Sequence, residues 1–158
     1  MANTQSMCTS FLGQLLTATH NFGTAPVRAS GTADTFKAAL YLTTATVNAA
    51  TTAYSATGEV SGTGYSAGGV SVTNGTPPSS TNSSATAGVG YWTPSASITY
   101  TSVTLTTAFD TVLIYNSTQS NKAVSVHTFG SQTVTAGTFT LTMPSNTTTT
   151  ALLRLATT

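Results

Sequence analysis

The feature that most constrains the fold is a period of two along the second half of the chain. Residues 138–143 alternate strictly between threonine and an apolar residue, and residues 98–106 follow the same period. Successive side chains of a β-strand point to opposite faces, so this period predicts half-buried strands. Val112-Leu113-Ile114-Tyr115 is a continuous apolar run, which suits a central strand.

Turn signals divide the chain into about eight short strands at intervals of about 8–12 residues, which is typical of a sandwich or jelly roll. Strands are predicted at residues 36–42, 59–60, 70–72, 98–106, 112–115, 123–129, 138–143 and 151–155. Asp110 is expected in a turn between two of them. No alternation of strands with helical patterns occurs, which argues against an α/β fold. We expect an all-β protein, a single antiparallel β-sandwich that resembles a jelly roll.

The predicted core takes one apolar residue or more from each of the clearer strands. Its members are Phe36, Leu40, Ile98, Leu113, Tyr115, Val124, Val126, Phe139 and Leu141.

The first 34 residues differ from the rest and are predicted to be an N-terminal arm or short helix, with the sandwich spanning residues 35–158. Ser6 could cap a helix within residues 6–20, and Gly23 and Pro26 would end it. The helix would either cover one end of the sandwich or dock on a neighbouring subunit. Its apolar stripe provides candidate subunit-contact residues: Met7, Phe11, Leu12, Leu15 and Leu16.

Charge is almost absent from the sequence. Only 4% of residues are charged, the formal net charge is +1, and roughly a quarter of the chain is threonine. No basic patch exists to neutralise phosphates, so neither nucleic acid nor an anionic membrane surface is an expected partner. The longest apolar runs are too short to span a membrane, and the N-terminus lacks the features of a secretory signal. A surface with almost no net charge also lacks the electrostatic repulsion that keeps monomers apart. This favours a protein that is bound to partners rather than free in solution.

Residues that could carry chemistry are few and scattered, so we expect no enzyme, no cofactor and no metal site. A hydrolase would need His127 with Asp34 or Asp110, but no nucleophile elbow accompanies them. The remaining acid is Glu59, the remaining histidine is His20, and the lone cysteine, Cys8, cannot form an intramolecular disulfide. Residues 62–67 formally match a dinucleotide-binding fingerprint but lack its strand and helix.

Tyr91 and Trp92 are further candidate contact residues. They could stack on a sugar or a base, although aromatic residues that border a strand more often fill a core or a subunit contact.

One segment carries a resemblance to a known class of proteins. Residues 52–69, Thr-Ala-Tyr-Ser-Ala-Thr-Gly-Glu-Val-Ser-Gly-Thr-Gly-Tyr-Ser-Ala-Gly-Gly, resemble a stretch that recurs in small virion proteins of tailed bacteriophages. The segments 2–5, 34–41, 92–94 and 110–116 look like parts of the same pattern, which together covers most of the chain.

The resemblance implies a structural protein that is made in the bacterial cytoplasm and assembled into the virion. Within that class, the size and strand pattern look most like a jelly-roll capsid cement (decoration) protein, which clamps neighbouring subunits of the major capsid protein on the capsid surface. A homo-oligomer, dimer or trimer, is expected on the particle. The alternative is a small tail or fibre module that recognises a host or a glycan through Tyr91, Trp92 and residues 74–88.

Overall fold

The structure, a computed structural model, describes residues 3–8, 10–11, 15, 19–22, 33–81 and 88–156 of the chain. Over these residues the chain forms eight antiparallel strands in two sheets, so the prediction of an all-β sandwich is confirmed. The five-stranded sheet has the order β1-β7-β6-β2-β3, and the three-stranded sheet has the order β4-β5-β8. The strands are β1 (Ser6–Met7), β2 (Phe36–Leu42), β3 (Val70–Ser71), β4 (Ser79–Ser80), β5 (Val89–Trp92), β6 (Ile98–Asn116), β7 (Lys122–Leu141) and β8 (Leu153–Ala156).

The centre of the larger sheet is a long hairpin of β6 and β7. Its ladder runs from Asn116 opposite Lys122 at the turn to Ile98 opposite Leu141 at the far end. Each of these strands was predicted as two shorter ones, which is wrong. The predicted breaks are absorbed as register shifts within one ladder, because a β-bulge takes up an extra residue without ending the strand.

Asp110 shows why the breaks were misplaced. It lies within β6 rather than in a turn, and its carboxylate accepts hydrogen bonds from the Asn3 side-chain amide at 2.9 Å and from the Thr111 hydroxyl at 2.7 Å. A polar residue that would suit a turn is therefore satisfied inside a strand by a contact from the distant N-terminal segment.

The predicted core is largely confirmed. Seven of the nine predicted residues are buried, and the other two, Phe139 and Leu141, are partly buried and pack against the core. The burial pattern of the hairpin explains why these two residues are only partly buried. Both strands are buried near the turn, whereas the side chains of β7 are partly or fully exposed beyond Val126.

Residues 52–69 are held by the Glu59 carboxylate and by scattered backbone hydrogen bonds rather than by a continuous strand. Glu59 accepts hydrogen bonds from the hydroxyls of Tyr54 and Tyr65, at 2.6 and 2.7 Å, and from the backbone N–H of Gly68 at 2.7 Å. The strand predicted near Glu59 and Val60 is reduced to an isolated bridge between Tyr41 and Glu59. Hydrogen bonds to the carboxylate thus add to isolated backbone contacts, such as that from the Val60 N–H to the Leu40 carbonyl at 3.0 Å, in fixing this segment.

The N-terminal segment begins as a strand, not as the predicted helix with Ser6 as its cap. Ser6 and Met7 form β1, which pairs with Val126 and Ser125 of β7. Of the described residues that follow, Ser10, Phe11 and Leu15 have helical backbone, and the rest of the predicted helix lies largely outside the described residues. Cys8 and Phe11 are buried in the core, so this part of the segment packs on the sandwich.

Candidate docking site

An apolar groove of about 140 Å³ lies between the N-terminal segment and the three-stranded sheet. We call it the docking groove. Its lining is almost entirely hydrocarbon, and it takes residues from both sheets and from the segment before β2. The lining residues are Met7, Phe11, Leu15, Phe22, Pro78, Ser79, Gly90, Tyr91, Trp92, Leu153 and Leu155.

The first wall of the docking groove is the N-terminal segment. Pairing of β1 with β7 fixes Met7, and the Cys8 N–H donates to the carbonyl of Val124 at 3.1 Å. The Phe11 ring then packs edge-on against His20 and Phe22, with ring centroids 4.9 and 5.9 Å away. This wall is therefore anchored in the core.

The floor is Trp92, which is 2% exposed. Its ring packs against Phe22 at 4.7 Å and Phe36 at 6.2 Å. Its indole N–H donates to Oδ1 of Asn74 at 3.0 Å and to the carbonyl of Thr76 at 3.1 Å. A ring with these contacts has little exposed surface on which a sugar or a base could stack. The contact between Trp92 and Phe36 also joins the two sheets.

The second wall is the three-stranded sheet. Tyr91 of β5 is partly exposed and pairs with Arg154 of β8. Leu155 is 44% exposed, and among the described residues no other large hydrophobic side chain is classed as exposed. It lies opposite Gly90, which has no side chain to cover the groove. The wall is thus open and apolar where Leu155 reaches solvent.

Five of the seven candidate contact residues line this groove together: Met7, Phe11, Leu15, Tyr91 and Trp92. The other two, Leu12 and Leu16, lie outside the described residues. Sequence reasoning missed Phe22, Leu153 and Leu155 as members of the site. The apolar alternation of residues 151–155 was a usable signal for the last two, but nothing in the sequence placed β8 beside β5.

A polar network lies behind the first wall. The Asn116 side-chain amide donates to Oδ2 of Asp34 at 2.7 Å and contacts Nδ1 of His20 at 3.0 Å. Oδ1 of Asn116 accepts the N–H groups of Thr118 and Gln119, so its nitrogen is the donor and Nδ1 of His20 accepts. Burial lowers the pKa of His20 from 6.5 to about 4, because it disfavours the charged ring. His20 is therefore neutral at pH 7.

Among the described residues, the others that could take part in catalysis or metal binding do not form a common site. Asp34, Glu59 and Asp110 each have separate hydrogen-bond partners. His127 contacts the Ser125 hydroxyl at 2.9 Å. Burial raises the pKa of the Cys8 thiol to about 11, which keeps it in the unreactive thiol form. Across the described parts of the chain, no three His, Cys, Asp or Glu side chains are grouped so that they could hold a metal ion.

No family model, no curated protein and no solved structure matches this chain. Among the residues that the structure describes, no helix is long and apolar enough to cross a membrane.

Proposed function

We propose that this chain is a capsid cement protein of a tailed bacteriophage, and that it binds the lattice of the major capsid protein through the docking groove without catalysing a reaction. The observation that carries the proposal is the convergence of apolar side chains from three separated parts of the sequence on one open groove. It agrees with the resemblance of residues 52–69 to small virion proteins.

The groove has the properties of an anchor site. Burying one fully exposed large apolar side chain against a partner contributes roughly 1.5–3 kcal/mol. Leu155 is 44% exposed, so it has a part of this contribution still to make. Association itself costs at least about 4 kcal/mol. One groove therefore gives weak binding by itself, and a protein arrayed on a lattice gains from engaging several subunits at once.

The scarcity of charge fits the same role. Attachment through apolar contacts and hydroxyl hydrogen bonds is little screened by salt, whereas attachment through surface ion pairs weakens as salt rises. With only 4% charged residues, the chain has few ion pairs to lose. A cement protein that must hold a particle together in varied media benefits from this composition.

The test is a pair of matched substitutions and their occupancy on shells of the major capsid protein from the same phage. Leu155→Lys places a charge in the docking groove at a position exposed enough to keep the fold. Thr101→Lys adds the same charge at an exposed position on β6, away from the groove. We expect Leu155→Lys to weaken binding about tenfold or more, and Thr101→Lys to bind like the unmodified chain.

Equal occupancy of both variants would contradict the groove as the attachment site. An image reconstruction of particles that carry the chain tests the location separately. Copies arrayed over the shell support cement function, whereas copies confined to the tail would assign the chain to the tail or fibre instead.

A further inference from the structure

The outer edge of β7 has no ladder partner over most of its length. In the described part of the chain, β1 pairs only with Ser125 and Val126, and β6 occupies the opposite side of β7. Residues 128–141, which we call the free edge, therefore present backbone N–H and C=O groups outward. At about 3.3 Å per residue the free edge is about 45 Å long.

The free edge lacks two of the usual protections against pairing, namely charge and proline. Proteins commonly place lysine, other charges or proline on exposed edges to prevent pairing with another chain. Residues 128–143 contain no charged residue and no proline. Register shifts interrupt the ladder between residues 100 and 111 of β6, whereas three consecutive pairs at the far end, from Ile98–Leu141 to Tyr100–Phe139, are in regular register. A regular uncharged stretch is thus open to a further strand.

Half-buried aromatic rings lie along the same edge. Phe129 and Phe139 are only partly buried, with ring centroids 5.3 Å apart, and both pack against the buried Phe109, at 6.0 and 5.0 Å. Each therefore leaves apolar surface in water next to unpaired backbone groups. A strand added to the edge would bury both kinds of surface together.

We propose that the regular end of the free edge, around residues 139–141, pairs antiparallel with the same residues of a second copy, which joins two sheets about a two-fold axis near Thr140. Antiparallel pairing is self-complementary, because the same donors and acceptors face each other in reverse order. No side chain of the free edge brings a like charge against its own copy, and the net charge of +1 gives little long-range repulsion. A partner strand that carries charged side chains would form no ion pairs with this uncharged edge.

The dimer deepens the proposed function, on which this step rests. Two copies joined through β7 carry two docking grooves in a fixed relation, so one dimer can engage two neighbouring capsid subunits. The second contact then forms at a high effective concentration, which raises overall affinity without any new contact surface. Weak binding by a single groove thereby becomes firm attachment.

Sedimentation velocity of the free protein tests the dimer without any capsid. We expect the full chain to sediment with twice the mass of the 16.0 kDa chain at micromolar concentration. The edge variant is Thr138→Lys with Thr140→Lys. Its control is the double variant Thr99→Lys with Thr101→Lys. These residues lie on β6, the strand next to β7, and the Thr99 side chain is on the same face of the sheet as that of Thr140. Like charges facing each other across the two-fold axis should raise the dimer dissociation constant at least about tenfold in the edge variant alone.

Salt gives a second readout. Repulsion between the new lysines is screened as ionic strength rises to about 1 M, so the edge variant should recover part of its dimer there. A monomeric full chain, an edge variant as dimeric as the control, or equal loss in both variants would overturn the proposal. A dimer that fails to bind capsids would contradict the proposed function and leave the edge pairing intact.

Discussion

At the scale of single residues, backbone conformation is most demanding at Gly69. Its φ of +70° lies in the left-handed region, and an added Cβ would overlap the carbonyl oxygen of Ala38 on β2. The neighbouring Gly68 also has a positive φ, and its carbonyl accepts the hydroxyl of Tyr115 at 2.8 Å. The pair of glycines therefore lets the segment that Glu59 holds approach β2 closely enough to form β3.

Gly69→Ala should destabilise the protein by about 2–5 kcal/mol, the sum of left-handed strain and overpacking against a strand. Gly130→Ala is the matched control, because an added Cβ there meets nothing within 4 Å. Its free energy of unfolding should change by no more than about 0.5 kcal/mol, as for other surface substitutions. Urea unfolding of both variants measures the difference, and similar losses in the two would show that Gly69 is not conformationally required.

At the scale of elements, the sequence predicted which stretches are strands better than where they end. Strict alternation found the far end of β7, and the run 112–115 found the buried part of β6. Asp110 and residues 130–137 were read as breaks between strands, because local turn propensity carries no information about a partner strand that continues past them. The two-residue strands β1 and β4 have no periodicity to detect, so tertiary contacts alone define them.

For the candidate site, the sequence predicted several of the member residues but not their arrangement in space. Apolar residues near the N-terminus and at Tyr91 and Trp92 stood out from their polar surroundings. Their meeting could not be predicted, since it depends on β1 joining β7 and on β8 joining β5 across long separations.

The contrast between a central and an edge strand gives a test of this architecture. Leu113 of β6 is fully buried, and Leu155 of β8 is 44% exposed. Leu113→Ala should cost about 2–5 kcal/mol through lost burial and a cavity. Leu155→Ala should cost less than about 1 kcal/mol, because most of the removed surface already contacts water or the open groove. Equal costs, measured by denaturant unfolding, would contradict the assignment of Leu155 to an open wall.

At the scale of the whole molecule, the two buried histidines make stability depend on pH in mild acid. Burial lowers the pKa of both His20 and His127 from 6.5 to about 4. At His20 the charge of Asp34 opposes this shift and that of Lys122 adds to it. Between pH 6.5 and 4 the unfolded chain therefore binds more protons than the folded chain. Stability is fully present above pH 6.5 and decreases as the pH falls towards 4.

Replacing both histidines by glutamine should flatten this dependence. The expected result is a urea midpoint that falls between pH 7 and pH 4.5 in the unmodified chain, falls less in His20→Gln or His127→Gln, and least in the double variant. Each single variant serves as the control for the other, since the residues lie on different elements and contact different partners. A midpoint that rises on acidification, or one that falls equally in the double variant, would show that neither histidine is held neutral by the fold.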